Sequence, residues 1–351
     1  MTGTTHGTFT NAGNIISNAM FFTGKALVNP SDVDIVLHRE SFASDAIFFN
    51  GMTHNERSLG TALDDVYAAG PGFGGYGPDM QQLFGYLFSL GQGHQADALF
   101  AYNELDGAQH AQLQQVTLDI LNPFNTFMGA RLDDAKMTGG GAVAQDLRQQ
   151  YALASGIMTD ASPGLVRGPS GMSVWARGFG QWTNVDGDPE APGYSENAGG
   201  IYGGFDYAFD PFAIVGIALG WTNNDVNFDT FRDNASVDTF QLGAYGSYMF
   251  DTRWYADGTI AGAWHDLSVS RFIDLPPEAG GPRTASSSYN ADSFSIAGEF
   301  GGIWHADNWM LQPNIGLIYT GVDTDAFIET GPAASIWSST ASTPRRSPRP
   351  A

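Results

Sequence analysis

Trp254-Tyr255-Ala256-Asp257-Gly258-Thr259-Ile260-Ala261-Gly262-Ala263-Trp264-His265 alternates with period two. One face carries Trp254, Ala256, Gly258, Ile260, Gly262 and Trp264, and the other Tyr255, Asp257, Thr259, Ala261, Ala263 and His265. Successive side chains of a strand point to opposite faces, so this is a strand with one apolar and one mixed face. That much describes any half-buried sheet. The aromatic spacing says more: Trp254 and Trp264 stand ten residues apart on the apolar face, and Phe240 with Phe250, Phe294 with Trp304, and Trp309 with Tyr319 repeat the spacing. Ten residues rise about 33 Å, which a strand tilt of about 40° shortens to about 25 Å. This is the height of the band between the two aromatic girdles of a membrane-spanning β-barrel.

Working outward, seven alternating segments are expected near 172–182, 198–209, 212–224, 238–250, 253–267, 290–304 and 308–320. The connections at 209–211, 251–252 and 305–307 are short, whereas 183–197, 225–237 and 268–289 are long and polar. Short and long alternate as the two ends of an antiparallel barrel require. The mixed faces place Gln241, Asp257, Glu299 and Gln312 toward the lumen, and Arg177 joins them because it shares parity with Ser173 and Gln181. A buried cation is costly unless paired, so a carboxylate partner for Arg177 is expected from Glu299 or Asp257.

Before Met172 the texture differs. Residues 1–50 mix Gly, Asn and Thr with short β-rich bursts, and from about Asn55 to Leu132 the spacing becomes helical, as in Leu59, Leu63 and Val66, then Leu83, Leu87 and Leu90, then Leu113, Val116 and Ile120. The Gly70 to Pro78 cluster separates the first two helices, and Pro78 is placed to open the second. Lys136 to Gly171 reads as a linker with one short helix near 142–154. The expected divisions are therefore 1–50, a helical linker region 51–171, the strands 172–331, and a tail 332–351 rich in Ser, Pro and Arg that reads as disordered.

Composition narrows the function. The 351 residues carry 37 acidic and 15 basic side chains, a net charge of -22, so a nucleic-acid partner is not expected. With no cysteine, disulfide scaffolds, thiolate metal sites and cysteine nucleophiles are excluded. The mean hydropathy of -0.16 and 13% aromatic residues are too apolar for disorder and too polar for a helical membrane protein. The amino terminus lacks the basic start and apolar core of a secretory signal, so an exported product is expected to be part of a longer chain.

Val174-Trp175-Ala176-Arg177-Gly178-Phe179-Gly180-Gln181-Trp182, then Asp186-Gly187-Asp188 and Tyr194, resembles the opening of the autotransporter β-domain of type V secretion. Gly199 to Tyr207, Leu242 to Phe250, Trp254 to His265 and Phe327 to Gly331 also look like segments of that family, Leu105 to Leu118 is similar to its pre-barrel helix, and Asn29 to Phe42 to the last rungs of a β-helical passenger. The resemblance implies a mainly β, antiparallel outer-membrane barrel of twelve strands with a linker helix in its pore. It further implies a passenger displayed at the cell surface, with outer-membrane lipid, the barrel-assembly machinery, periplasmic chaperones and the chain's own passenger as partners. Only about seven strands are present, so an incomplete, non-closing piece is expected, which as given would not work as a translocator.

Enzymatic signals are weak, and no catalytic residue, cofactor or metal is expected. The seven histidines show no HExxH or i, i+4 spacing. Asp186, Asp188 and Glu190 lack the ligand spacing of a calcium loop, Ser170 lacks a Gly-x-Ser-x-Gly elbow, and Gly72 to Gly75 has no following Lys-Ser/Thr. Some members of the family cleave their passenger at a pore asparagine; Asn122 and Asn125 lie near the main helix, but a cap or turn role is the reading preferred for them. The alternatives are an outer-membrane pore or structural barrel without a passenger, and a soluble β-rich binding protein.

Overall fold

The computed structural model describes residues 17–28, 32–72, 75–137, 166–167, 172–210, 212–229, 232–251, 253–306 and 309–331. A hairpin of β1 (Phe22–Val28) and β2 (Val33–Arg39) precedes α1 (His54–Ala69), α2 (Pro78–Ser89), α3 (Gln95–Leu105) and α4 (Ala108–Met137). The strands follow: β3 (Val166–Arg167), β4 (Met172–Val185), β5 (Tyr194–Asp210), β6 (Ala213–Phe228), β7 (Asn234–Met249), β8 (Trp254–Ile273), β9 (Arg283–Gly302), β10 (Trp304–Ala306), β11 (Trp309–Leu311) and β12 (Asn314–Thr324). The expected helix near 142–154 and the tail 332–351 lie outside the described residues.

Antiparallel pairing joins β12, β9, β8, β7, β6, β5, β4 and β3 in that order, and among the described residues β12 and β3 are not paired with each other. The sheet is open. It is also strongly curled. Seven long strands spaced about 4.8 Å apart would span about 29 Å if flat, whereas a helix is about 10–12 Å across. Yet α4 lies against β6, β7, β8, β9 and β12, and its side chains also reach Arg177 on β4 and Asp206 on β5. One helix touches all seven only if the sheet wraps around it.

The expected strands correspond to β4 to β9 and β12, with two corrections. First, β6 runs on to Phe228, β7 begins at Asn234, β8 reaches Ile273 and β9 begins at Arg283, so the long connections are shorter than expected. The extra length follows from an inversion of polarity. Below a row formed by Trp221, Phe240 and Trp264, the outward residues are apolar (Ile217, Leu242, Ile260); above it they become Asn223, Asp238 and Asp266. Inside, Val226, Val237, Leu267 and Val269 are buried against Leu113, Val116 and Ile120 of α4. The strands therefore continue beyond the apolar band, held by an ordinary core. Second, neither Phe294 and Trp304 nor Trp309 and Tyr319 share a strand: β9 ends at Gly302, β10 and β11 form a separate small hairpin, and Pro313, which cannot donate to a ladder, precedes β12.

The boundary expected at residue 50 does not separate two cores. Phe21, Phe42 and Phe48 pack with Leu59, Leu63, Leu83, Phe84 and Tyr102 from the three short helices, and Ile273 and Ala285 of the sheet and Leu275 and Ala279 of the β8–β9 connection join the same cluster. Thr53 starts α1 with a capping box, its side chain accepting from Glu56 N while Glu56 accepts from Thr53 N. Pro78 opens α2 as its first residue. The β1–β2 hairpin pairs antiparallel, whereas successive rungs of a β-helix run parallel, so this segment is not built as a rung. No described helix is long and apolar enough to cross a membrane, which has no bearing on strands.

Candidate functional site

Helix α4 has 30 residues and so spans about 45 Å, with Pro123 inside it. Its first half is gripped by the apolar layer described above. Its second half, through Leu121, Phe124, Phe127, Met128 and Leu132, packs on Trp175, Phe179, Tyr202, Tyr245 and the small residues Ala218, Ala261 and Ala263. Glycines make room for these rings: a Cβ on Gly216 would stand 2.4 Å from the Tyr245 ring, a clash.

Charge pairing fixes this half of the helix at separate points. Arg131 donates to both carboxylate oxygens of Asp206, Nε to Oδ2 at 2.6 Å and Nη2 to Oδ1 at 2.8 Å, with both side chains buried. Tyr245 donates its hydroxyl to the same Asp206 Oδ2 at 3.0 Å, and Trp175 Nε1 donates to Tyr245 at 2.7 Å. One turn and a half further along, Lys136 pairs with Asp257 and with Asp133, the latter at 3.0 Å, and stands 3.6 Å from the centre of the Tyr255 ring. Tyr255 donates to Glu299 at 2.6 Å and accepts from Gln312 at 2.9 Å. Asn125 exchanges hydrogen bonds with Ser295 at 2.9 and 3.1 Å. Asp133, Asp257 and Glu299 lie close enough together to suggest a cation site, but the Lys136 ammonium already sits among them. The chemistry is that of a plug held by ion pairs.

Each residue expected from sequence can now be placed. Asp257, Glu299, Gln312 and the fully buried Gln241 are on the α4 side of the sheet, and Asp257 and Glu299 are direct cross-strand partners. Arg177 is on that side too, but the carboxylate beside it is Asp134 of α4 at 3.7 Å, rather than the expected Glu299 or Asp257; its guanidinium also covers Phe127. The helix fills the space between Arg177 and the far strands, and so supplies the counter-charge itself. Phe240, Phe250, Trp254, Trp264, Phe294 and Trp309 are exposed on the opposite side, with Trp304 and Tyr319 half-buried. Their rings gather at two levels. Phe240 stacks on Trp264 and Phe294 meets Tyr319 at one level, while Phe250, Trp254 and Trp304 cluster with Phe300 at the other.

Asn122 and Asn125 are neither caps nor turn residues; both lie inside α4, where Asn122 donates to Asp119 and Asn125 holds Ser295. Glu190, weighed above for calcium, instead accepts from His54 N and Asn55 N at 2.8 and 3.0 Å and so caps α1. Sequence reading missed Arg131, Lys136, Asp206, Tyr245 and Trp175. Trp175 has the parity of Arg177 and was within reach; Asp206 and Arg131 gave no periodic signal.

An open-edged antiparallel sheet with an apolar outer band, two aromatic levels and a charged helix inside it defines the class: strands laid out as in an outer-membrane β-barrel. Residues 174–346 match the family model "Autotransporter beta-domain". Residues 174–346 thus belong to the autotransporter β-domain family. Relatives include an extracellular serine protease of Serratia marcescens, 27% identical over 46% of this chain, and the probable autotransporter YpjA of Escherichia coli, 26% over 45%. The esterase EstA of Pseudomonas aeruginosa is 24% identical over 45% of this chain. The matched parts span 15%, 10% and 24% of those proteins, so their named activities belong to them as wholes. The translocator domain of the autotransporter NalP from Neisseria meningitidis aligns over 53% of this chain and 60% of its own, with 18% identity and a TM-score of 0.41.

Proposed function

We propose that the curled sheet anchors and displays its own passenger at the cell surface, with α4 as the segment that connects passenger to barrel through the lumen. The single observation that carries this reading is the pairing of Arg131 and Lys136 on α4 with Asp206 and Asp257 on the inner face. In a low-dielectric interior such charges stay only where they are matched, so the helix is fixed along its axis rather than free to slide. A pore serving solute diffusion has no use for a 30-residue helix filling its lumen, which argues against the reading without a passenger.

The outer side supplies the anchor. Ile217, Leu219, Leu242, Ile260 and Ile296 are exposed between the two aromatic levels, a surface suited to hydrocarbon and unsuited to water. We assign Phe240, Phe250, Trp254, Trp264, Phe294, Trp304, Trp309 and Tyr319 to the two girdles, and Arg177, Gln241, Asp257, Glu299 and Gln312 to the lumen. Residues ahead of α1 belong on the passenger side, and insertion would use periplasmic chaperones and the barrel-assembly machinery. The β-domain acts by position and folding and carries out no catalysis of its own. With both edges of the sheet paired by further strands, an epitope joined ahead of residue 17 should bind antibody on intact cells. An epitope reached only after the outer membrane is breached would overturn the reading.

A further inference from the structure

The three short helices and the β1–β2 hairpin do more than connect passenger to plug. They form a compact module tied to the strands at this rim by the β4–β5 and β8–β9 connections, while the β6–β7 connection and the segment after β12 fasten the start of α4 beneath it. From the β4–β5 connection, Glu190 caps α1 and Pro192 O accepts from Gln112 of α4. From the β6–β7 connection, Asp233 accepts from Gln109 at 2.6 Å and from Phe272 N at 2.6 Å. From the β8–β9 connection, Asp274 N donates to Glu104 of α3 at 2.7 Å while Leu275 and Ala279 enter the core of the module. After β12, Glu329 pairs with the fully buried Arg271 and accepts from His110 at 3.0 Å.

We propose that this module is a latched lid on the rim, and that its seal, built with more buried carboxylates than cations, closes more tightly in mild acid. Glu104 is buried with Oε1 unpartnered, so the seal has room for a proton there. The groups facing it are Asp233 and Asp274, which disfavour its charge, and Arg271, which favours it. Asp106 faces Arg271, Glu56 and Glu190, and Asp233 faces Arg271 and Glu329. All lie above the apolar band. Burial pushes Glu104 up to about 7, and Asp106 and Asp233 up to about 6, outweighing their hydrogen bonds and Arg271. Glu329 goes the other way: burial raises it, but the His110 hydrogen bond and the Arg271 charge hold it below its ordinary value.

The sign follows from linkage. A carboxyl raised in the docked state takes up a proton on docking, so the Glu104 contribution is fully present below its ordinary 4.5 and is lost as pH rises through about 7. Glu329 contributes in the opposite sense, and that contribution is lost only below its own ordinary value of 4.5. The tightening therefore belongs between about pH 7 and 4.5. The inference rests on the translocator reading only in placing this rim outside the cell.

Hydrogen exchange on the full chain in detergent tests it, with rates corrected for the intrinsic effect of pH. Each unit of displacement is a tenfold change in equilibrium, so amides of α1 and α2 should be protected at least about tenfold more at pH 5.5 than at pH 8. Amides of β5 to β8 should not change. Glu104→Gln should remove most of the difference, and Glu104→Gln with Asp233→Asn more of it, Asp106 accounting for what remains. Equal lid protection at both pH values, or a full difference retained in the double variant, overturns the lid. Loss of strand protection together with the helices overturns the lid and the translocator reading alike.

Discussion

Asp206 illustrates what a single residue does in this molecule and why it escaped sequence reading. It is one of two carboxylates, with Asp210, in the apolar and glycine-rich end of β5, and its partner Arg131 stands 75 positions away on a helix. Neither periodicity nor motif links the two. In the fold it gathers Arg131 and Tyr245, and through Tyr245 also Trp175. Removing one member of such a buried pair strands the other, at about 3–5 kcal/mol, whereas replacing both by apolar side chains of similar size costs far less. Arg131→Ala should therefore lower the unfolding free energy in detergent by about 3 kcal/mol. The double variant Arg131→Met with Asp206→Leu should recover most of that loss. Additive losses in the double variant would show that the pair is not coupled. At the other end of the helical region, Thr53→Ala removes one half of the α1 capping box and should cost about 1 kcal/mol, read from the same denaturation curves.

At the scale of elements, the strands were legible because their lipid and lumen faces differ so sharply: the aromatic residues ten apart in β8 fixed parity and height together. Their upper ends were not, because above Trp264 the pattern inverts. Asp266 and Ser268 face out while Leu267 and Val269 are buried, and in sequence an alternation that changes sign reads as a polar loop. Two glycines, one on β6 and one on β8, test the difference between the faces. A Cβ at Gly216 collides with the Tyr245 ring, which cannot move without breaking its bonds to Trp175 and Asp206. At Gly258, on the outer face, the nearest atom to an added Cβ is 3.9 Å away. Gly216→Ala should thus destabilise by about 1–3 kcal/mol. Gly258→Ala should be neutral or stabilising by up to about 1 kcal/mol, since glycine weakens a strand interior. Equal effects at the two sites would contradict the assignment of faces.

For the whole molecule, the sheet wraps α4 without β12 and β3 meeting among the described residues. A strand edge in hydrocarbon leaves N–H and C=O groups unpaired at several kcal/mol each, so in a bilayer both edges require partners. The lid and the plug were legible only as helical spacing. That α1 to α3 sit on the rim while α4 alone enters the concavity depends on contacts such as Glu104 with Asp274 and Arg131 with Asp206, which join positions remote in sequence. On this reading the outer band faces lipid and the face against α4 does not. Because the chain has no cysteine, single cysteines can carry a fluorophore at Ile260 in the band, at Asp266 above it and at Ala261 on the inner face. With the edges paired by further strands and the protein in bilayers, quenching by lipids brominated at mid-chain should be strong at position 260 and weak at 266 and 261. Quenching by aqueous iodide should be strong only at 266. Strong iodide quenching at 260 without lipid quenching would contradict the membrane-embedded sheet and everything built on it.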